Sequence, residues 1–568
     1  MNFRSTAIIP LLLACAPASS TPADPADLLL VNGRIVTVDS AHPTAEAIAI
    51  KGDRIMALGT TAEMDKLKGP STRRIDLQGK LAIPGFIEGH GHFLGLGSAR
   101  MHLNLSAVEN WDNVIAMVGA SARDIADGAW ISGRGWHQEK WNKPPVPAVE
   151  DMPTHASLDS VSPNNPVFLS HASGHAAFVN GAALRLAGIT RATKNPPGGE
   201  IVRGPDGEAT GVLRETAQGL VYRKLAEWEE SRGPEAEEAE ARRMVALAAE
   251  DALAKGVTSF QDMGESFASI DLLKRMAERH ELPVRLYVMV GGESLDAYKA
   301  KLASYRMIGV GNNFLTVRGI KLYADGALGS HGAWMLKPYS DMPSTVGLPT
   351  TPPARIEAIA SVALADSFQV ATHAIGDRAN REILNIYERL QGGRTDLRWR
   401  VEHAQHIDPA DIPRFGKLGV IASMQAVHAT SDGPWVPKRI GDQRARDGAY
   451  VWHSLLTSGA IVLNGTDVPV EDVNPIASYY ASVSRKLPDG SVFYPGQRMT
   501  REEALRAYTL SNAYAAFEED LKGSLTVGKL ADITVLSRDI LTVAEDSLPG
   551  TKVLYTIVGG KVAYQAAP

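Results

Sequence analysis

His90 and His92 stand two apart at the end of the run PGFIEGHGHF. In an extended segment, side chains two apart point to the same side, so both imidazoles can converge on one cation. Alone, His-x-His is a weak signal. It does not stand alone here: His373 lies in VATHAIGD, His403 in VEHAQ, Asp467 in LNGTDVP, and Lys321 inside GIKLYADG. Imidazoles and a carboxylate can hold a divalent ion, which acidifies water and polarises a carbonyl. Any one of these histidines could be a satisfied core residue. Their common place, where an apolar run turns polar, makes a shared accident improbable.

A weaker group lies beside them. Trp136 in GRGW could form an apolar wall or sit in a core, and His175 in SGHAAF could bond a substrate or cap a helix start near Ala176. Tyr323, His331 and His428 lie at or just past the run ends, where they could line a pocket.

The elements that must position these residues are eight short apolar runs: 81–92, 257–264, 284–291, 317–326, 369–377, 399–405, 420–425 and 460–467. Helix-like stretches such as 355–366, 378–390 and 408–418 separate several of them. The pattern predicts the α/β class: a distorted (β/α)8 TIM barrel, with its chemistry at the C-terminal ends of the strands. The first gap, about 93–256, is too long for a plain connection and reads as a large insertion after the first strand, a lid or cap. It carries a charged helical run at 227–255. β-like runs at 28–39, 45–59 and 72–84 return in kind at 531–539 and 553–565. They predict a small β-sandwich built from both chain ends, 28–84 and 519–568, around a barrel at 85–518.

Composition narrows the classes. The 568 residues carry 58 Lys+Arg against 64 Asp+Glu, a net charge of −6, so no basic footprint for nucleic acid is present. Apolar residues at 44% and charged residues at 21% are an ordinary globular balance, which excludes a disordered or collagen-like chain. One cysteine excludes an intramolecular disulfide framework and a Cys-based zinc finger. There is no G-x-S-x-G elbow, which disfavours a serine hydrolase of the α/β type.

Residues 1–20 (MNFRSTAIIPLLLACAPASS) resemble a bacterial lipoprotein signal: Arg4, a short apolar run, and Cys15 after Leu12-Leu13-Ala14. The resemblance implies an exported, periplasmic protein, lipidated at Cys15, tethered through 21–27 to the outer membrane. An ordinary signal peptide is the alternative. No later run is long and apolar enough for a transmembrane helix.

The motifs PGFIEGHGHF, GIKLYADGALGSHGA, THAIGD, VEHAQ and NGTDVP together resemble the amidohydrolase superfamily, over nearly the whole chain beyond the signal. The phrases SGHAAFVN, GEATGVLRE, QAVHATSD and VEDVNP resemble the branch that includes N-substituted formamide deformylases. The resemblance implies two divalent metals, zinc first, with a one-metal site left open. His90, His92 and Asp467 would hold the buried ion and His373 and His403 the outer one. Lys321 would bridge them as a carboxylated lysine, since a protonated ammonium cannot ligate a cation. A metal-activated hydroxide would then attack a linear amide, an N-acyl or an N-formyl compound, with Asp467 as proton shuttle. The same site could open a lactone or cyclic amide. Purine- and pyrimidine-type deaminases of the superfamily carry His-x-x-Glu near the fifth strand; Gly376 stands at that place here, which disfavours deamination. From another class, a catalytically inactive surface binding lipoprotein would have lost a ligand, and none is missing. The partner expected is a small-molecule substrate, with no nucleic acid and no membrane contact beyond the anchor; a homodimer stays open.

Overall fold

The computed structural model describes residues 24–138, 141–150, 152–171, 176–197 and 199–567. Cys15 and His175 lie outside them.

Eight strands run parallel in chain order: β1 (Phe86–Gly91), β2 (Val257–Glu265), β3 (Arg285–Val290), β4 (Leu315–Tyr323), β5 (Gln369–Ala374), β6 (Arg400–His403), β7 (Ile421–Met424) and β8 (Val462–Asn464). Each pairs with the next. Their near-continuous burial is what a parallel sheet covered on both faces requires. Helices Pro353–Ala365, Asp377–Gln391 and Ile412–Leu418 cover the outside where helical spacers are expected. The barrel is nearly closed. Past the ends of β8 and β1, Asp467 N donates to His90 O (2.7 Å) and His92 N to Val468 O (2.8 Å). Lower down, the Asn512 amide donates to Ile87 O (2.6 Å) and Asn464 O (2.9 Å), clasping both strands. Gly89 makes this approach possible: a Cβ there would lie 2.4 Å from Asn464 O.

The run 81–92 divides at Gly85. Leu81–Pro84 does not enter the barrel; it pairs antiparallel with Ile533–Leu536 in a six-stranded sheet that also holds Arg34–Val36, Thr44–Ala45, Val553–Val558 and Lys561–Gln565. A four-stranded sheet of Ala26–Val31, Ala47–Lys51, Arg54–Gly59 and Lys68–Asp76 shares its core, in which Leu28, Leu30, Ile48 and Ile50 meet Ile533, Val535 and Ile557. Both chain ends thus build these sheets. The buried Arg285 guanidinium ties them to β3 by bonding the Asp532 carboxylate at 2.8 Å.

The segment between β1 and β2 has its own six-stranded sheet: Leu103–Asn104, Ile131–Trp136, Val167–His171, Ala176–Val179, Ala209–Glu215 and Gly199–Arg203. Ala176–Val179 is a strand, which removes the helix start offered there as one of two alternatives. Separate apolar cores lie around Trp111, Trp136 and Phe178, and around Trp130, Phe168 and Leu213. The expected helical run 227–255 is broken into Gln218–Ser231 and Pro234–Ala254, because Gly233 takes φ +81° and Pro234 restarts the helix at its first turn. The second helix packs on Phe93–Met101 so closely that a Cβ on Gly97 would lie 2.1 Å from Met244 O. No helix among the described residues is long and apolar enough to cross a membrane.

Candidate active site

The C-terminal mouth of the barrel gathers the sequence-predicted ligands. His90 and His92 face the same way from the end of β1. Their Nε2 atoms lie 3.4 and 3.3 Å from Asp467 Oδ1, which stands just past β8. Donor atoms about 3.3 Å apart match the edge of a tetrahedron around an ion bound at ~2.0–2.1 Å. His90 Nε2 is buried without a hydrogen-bond partner. Its Nδ1 is held by Glu402 Oε2 at 2.5 Å, so the inward nitrogen keeps a lone pair. Glu402 is itself paired with Arg400 (2.6 Å), and both side chains are fully buried.

His403 sits at the centre of the imidazoles. Its ring centroid is 4.7 Å from that of His90 and 4.5 Å from that of His373. On a regular strand, Glu402 and His403 would face opposite sides. His403 adopts φ +71° and the following Ala404 φ +44°, a local turn that brings both side chains to the mouth. Asp467 is likewise left-handed, at φ +58°. Such conformations cost of order 1–3 kcal/mol each in non-glycine residues and cluster where function demands them. Gln425 Oε1 accepts from His403 Nδ1 at 2.7 Å, leaving Nε2 as the ligand nitrogen. His373 Nε2 is buried without a hydrogen-bond partner, 3.4 Å from Asp325 Oδ1. Asp325 does not pair with Lys321; its carboxylate accepts from the backbone N–H groups of Ile375, Gly376 and Trp334 at 2.8–3.0 Å.

Electrostatics suit ligation. Burial pushes His373 down to about 3, and His92 and His403 also fall below the ordinary imidazole range. Neutral rings with free lone pairs are what a cation needs. Lys321 is buried on β4 with Nζ 4.8 Å from the centroid of Tyr323, and burial lowers its pKa to about 8. His90, His92 and Asp467 form one group able to hold a metal; His403, His428 and Asp467 form a second. These donors fit a divalent ion.

The weaker candidates divide. Tyr323 is half-exposed, with its ring 5.6 Å from His373, and borders the mouth. His428 is buried against His403, ring planes within 17° of parallel. His331 bonds Asp341 (3.1 Å), which also pairs with Arg439, so it belongs to a loop-bracing network. Trp136 takes the second of its two readings: it is fully buried in the insertion core, where its indole N–H donates to Leu169 O (2.9 Å), and it forms no wall to a ligand. Glu402, Gln405 and Gln425 were missed as site residues. Their signal lay in position, since Glu402 stands next to His403, Gln405 two residues from it, and Gln425 at the end of its own apolar run. A cleft of about 1180 Å³ lies beside the mouth, bounded by Val468 and Pro469 just after Asp467 and by Arg134, Tyr222 and Glu229 of the insertion.

The model of the amidohydrolase family matches residues 73–564. This chain belongs to the amidohydrolase family. The amidohydrolase is 34% identical over 558 residues to Protein LONG AFTER FAR-RED 3 of Arabidopsis thaliana, covering 95% of this chain and 92% of that protein. It is 28% identical to the N-substituted formamide deformylase of Arthrobacter pascens, over 95% of this chain and 98% of that enzyme. Its fold is similar to the crystal structure of an uncharacterized metal-dependent hydrolase from Pyrococcus horikoshii OT3, with TM-score 0.74, 26% identity, and coverage of 91% and 99% of the two chains. Family and fold make this amidohydrolase a metal-dependent hydrolase.

Proposed function

We propose that this amidohydrolase cleaves a non-peptide C–N bond in a linear amide, an N-acyl or an N-formyl compound. The observation that carries the reading is Asp467, a buried carboxylate whose Oδ1 lies 3.3 and 3.4 Å from His92 and His90 Nε2. The similarity to a formamide deformylase over 95% of the chain supports the choice of bond. His90, His92 and Asp467 would hold one ion, and His373 and His403 a second, with zinc first in a His/carboxylate set. Lys321 would bridge them after its neutral Nζ adds to carbon dioxide, forming an N–C bond and releasing one proton. Bound there, the metal supplies Lewis acidity and an acidified water. Asp467 takes the proton as water oxygen bonds to the carbonyl carbon, and returns it to nitrogen as the C–N bond breaks.

The test pairs a substrate panel with one variant. N-substituted formamides, N-acyl amines and lactones are offered to the purified holoenzyme, and Asp467→Asn is assayed on whichever is hydrolysed. Asp467→Asn keeps the fold and much of the metal, and loses about 10²–10⁴-fold in turnover. Turnover of lactones alone would replace the amide with an ester bond. A variant near wild-type activity would remove Asp467 from the proton path.

A further inference from the structure

We propose that His428 is a catalytic hydrogen-bond donor to the carbonyl oxygen of the substrate and not a third imidazole ligand. It rests on the amide reading above only for the identity of that carbonyl.

His428 lies on the short helix Ala426–Asp432 that follows β7. It is buried, and a ring nitrogen lies within 4.8 Å of ligand atoms of both His403 and Asp467. By position alone it could ligate. What separates it from its neighbours is the atom behind each ring. His90 Nδ1 faces a carboxylate oxygen of Glu402, and His403 Nδ1 faces Oε1 of Gln425, whose own amide donates to Ser423 O. Both partners are acceptors, so both rings carry their proton on Nδ1 and offer a lone pair inward. His428 Nδ1 instead faces Nε2 of Gln405, a donor, at 3.2 Å. That bond uses the Nδ1 lone pair and puts the proton of the neutral ring on Nε2. A nitrogen bearing a proton cannot bind a cation; it can only donate.

His428 Nε2 is buried and has no acceptor. A buried N–H left in this state is costly unless a ligand supplies the missing partner. The oxygen of a carbonyl held beside Asp467 is that partner. Its negative charge grows as water adds to the carbon, and a fixed donor in a dry site stabilises the charge without reorganising. Asp467 then serves the nitrogen end of the amide while His428 serves the oxygen end.

The holoenzyme carrying His428→Phe, His428→Gln or Gln405→Glu is compared with wild type by metal equivalents, kcat and KM. His428→Phe keeps wild-type metal content and loses about 10²–10³ in kcat with little change in KM. His428→Gln, which retains an N–H, recovers part of that loss. Gln405→Glu accepts from Nδ1, so the single ring proton moves from Nε2 to Nδ1, and the variant matches the loss with His428 still present. It carries the test alone if His428→Phe does not fold. Loss of a metal equivalent in His428→Phe would make His428 a ligand and overturn the proposal. So would a kcat within about threefold of wild type in His428→Phe or Gln405→Glu. The metal measurement needs no substrate. The kinetic arm uses any carbonyl compound that wild type hydrolyses, so a lactone would sink the amide reading and leave His428 testable.

Discussion

The barrel mouth and the insertion treat buried polar groups in opposite ways. In the insertion, Asn180 is wholly buried and fully used: Oδ1 accepts from Val167 and Ala183, and Nδ2 donates to Ser162 O and Asn165 O. Trp136 spends its indole N–H on Leu169 O. Among the buried side-chain nitrogens and oxygens of the described residues there, only Trp141 Nε1 lacks a partner. At the mouth, His90, His373 and His428 each leave Nε2 unpartnered, and Asp262 leaves Oδ1. An unmet buried polar group costs about 1–3 kcal/mol. One region therefore spends its hydrogen bonds on folding, while the other keeps them for a ligand.

Glu402→Gln should break the mouth most severely. Burial alone would raise the Glu402 carboxyl, but Arg400 and His90 outweigh burial and hold it well below the usual carboxylate range. The charge therefore fixes the His90 proton on Nδ1 and compensates Arg400. An amide keeps the shape and loses the charge. Metal affinity should fall about 10–100-fold, measured by competition with a chelator. Stability should fall by up to about 3–5 kcal/mol in denaturant, because Arg400 is left buried without its counter-charge. Unchanged metal affinity would mean that Glu402 does not govern the ligand.

Glu402 also shows what the sequence could and could not reveal. The eight apolar runs were legible because parallel strands are buried on both faces and turn polar where the chain leaves the barrel. His90, His92 and Asp467 stand out by type and place. Glu402 sits in the same VEHAQ run as His403 and was readable by alternation, since Arg400 and Glu402 share a strand face. The φ of +71° that turns His403 to the mouth as well was not, because nothing in the residue types announces it. Long-range partners were equally silent. The Asp341 that engages His331 pairs with Arg439, 98 residues away, and no local spacing encodes that. Leu81–Pro84 fell within two overlapping runs, 72–84 of the sandwich and 81–92 of the barrel, because its hydrophobicity runs straight through Gly85; its pairing with Ile533–Leu536 puts it with the sandwich strands.

Lys321 sharpens the contrast through pH. Its pKa of about 8, lowered first by burial, leaves a neutral amine at far lower pH than an ordinary lysine would allow. Only the neutral amine adds carbon dioxide. In the metal-free protein at a fixed concentration of dissolved ¹³CO2, the rate of carbamate formation, followed by NMR, should rise about tenfold from pH 6 to pH 7 and level off above the lysine pKa. The direction follows from protonation, since the reactive fraction is lost as pH falls below the pKa. A rate independent of pH over that window, or the same signal in Lys321→Ala, would place the carbamate elsewhere or nowhere.

The smallest effect is expected from the best-satisfied group. Trp136→Phe removes the bond to Leu169 O and part of a ring packed edge-on against His171 (4.7 Å) and stacked near Trp141 (6.1 Å). The replacement is apolar and smaller, so the insertion core loosens and one carbonyl loses a donor. Stability should drop by about 1–3 kcal/mol, read as a shift of the denaturant midpoint. kcat and metal content should stay within about twofold of wild type, because the ring is fully buried in the core of the insertion. A large loss of kcat with metal intact would reverse the assignment. It would mean that the insertion core is coupled to the geometry of the cleft beside Asp467, and that its satisfied bonds serve the reaction as well as the fold.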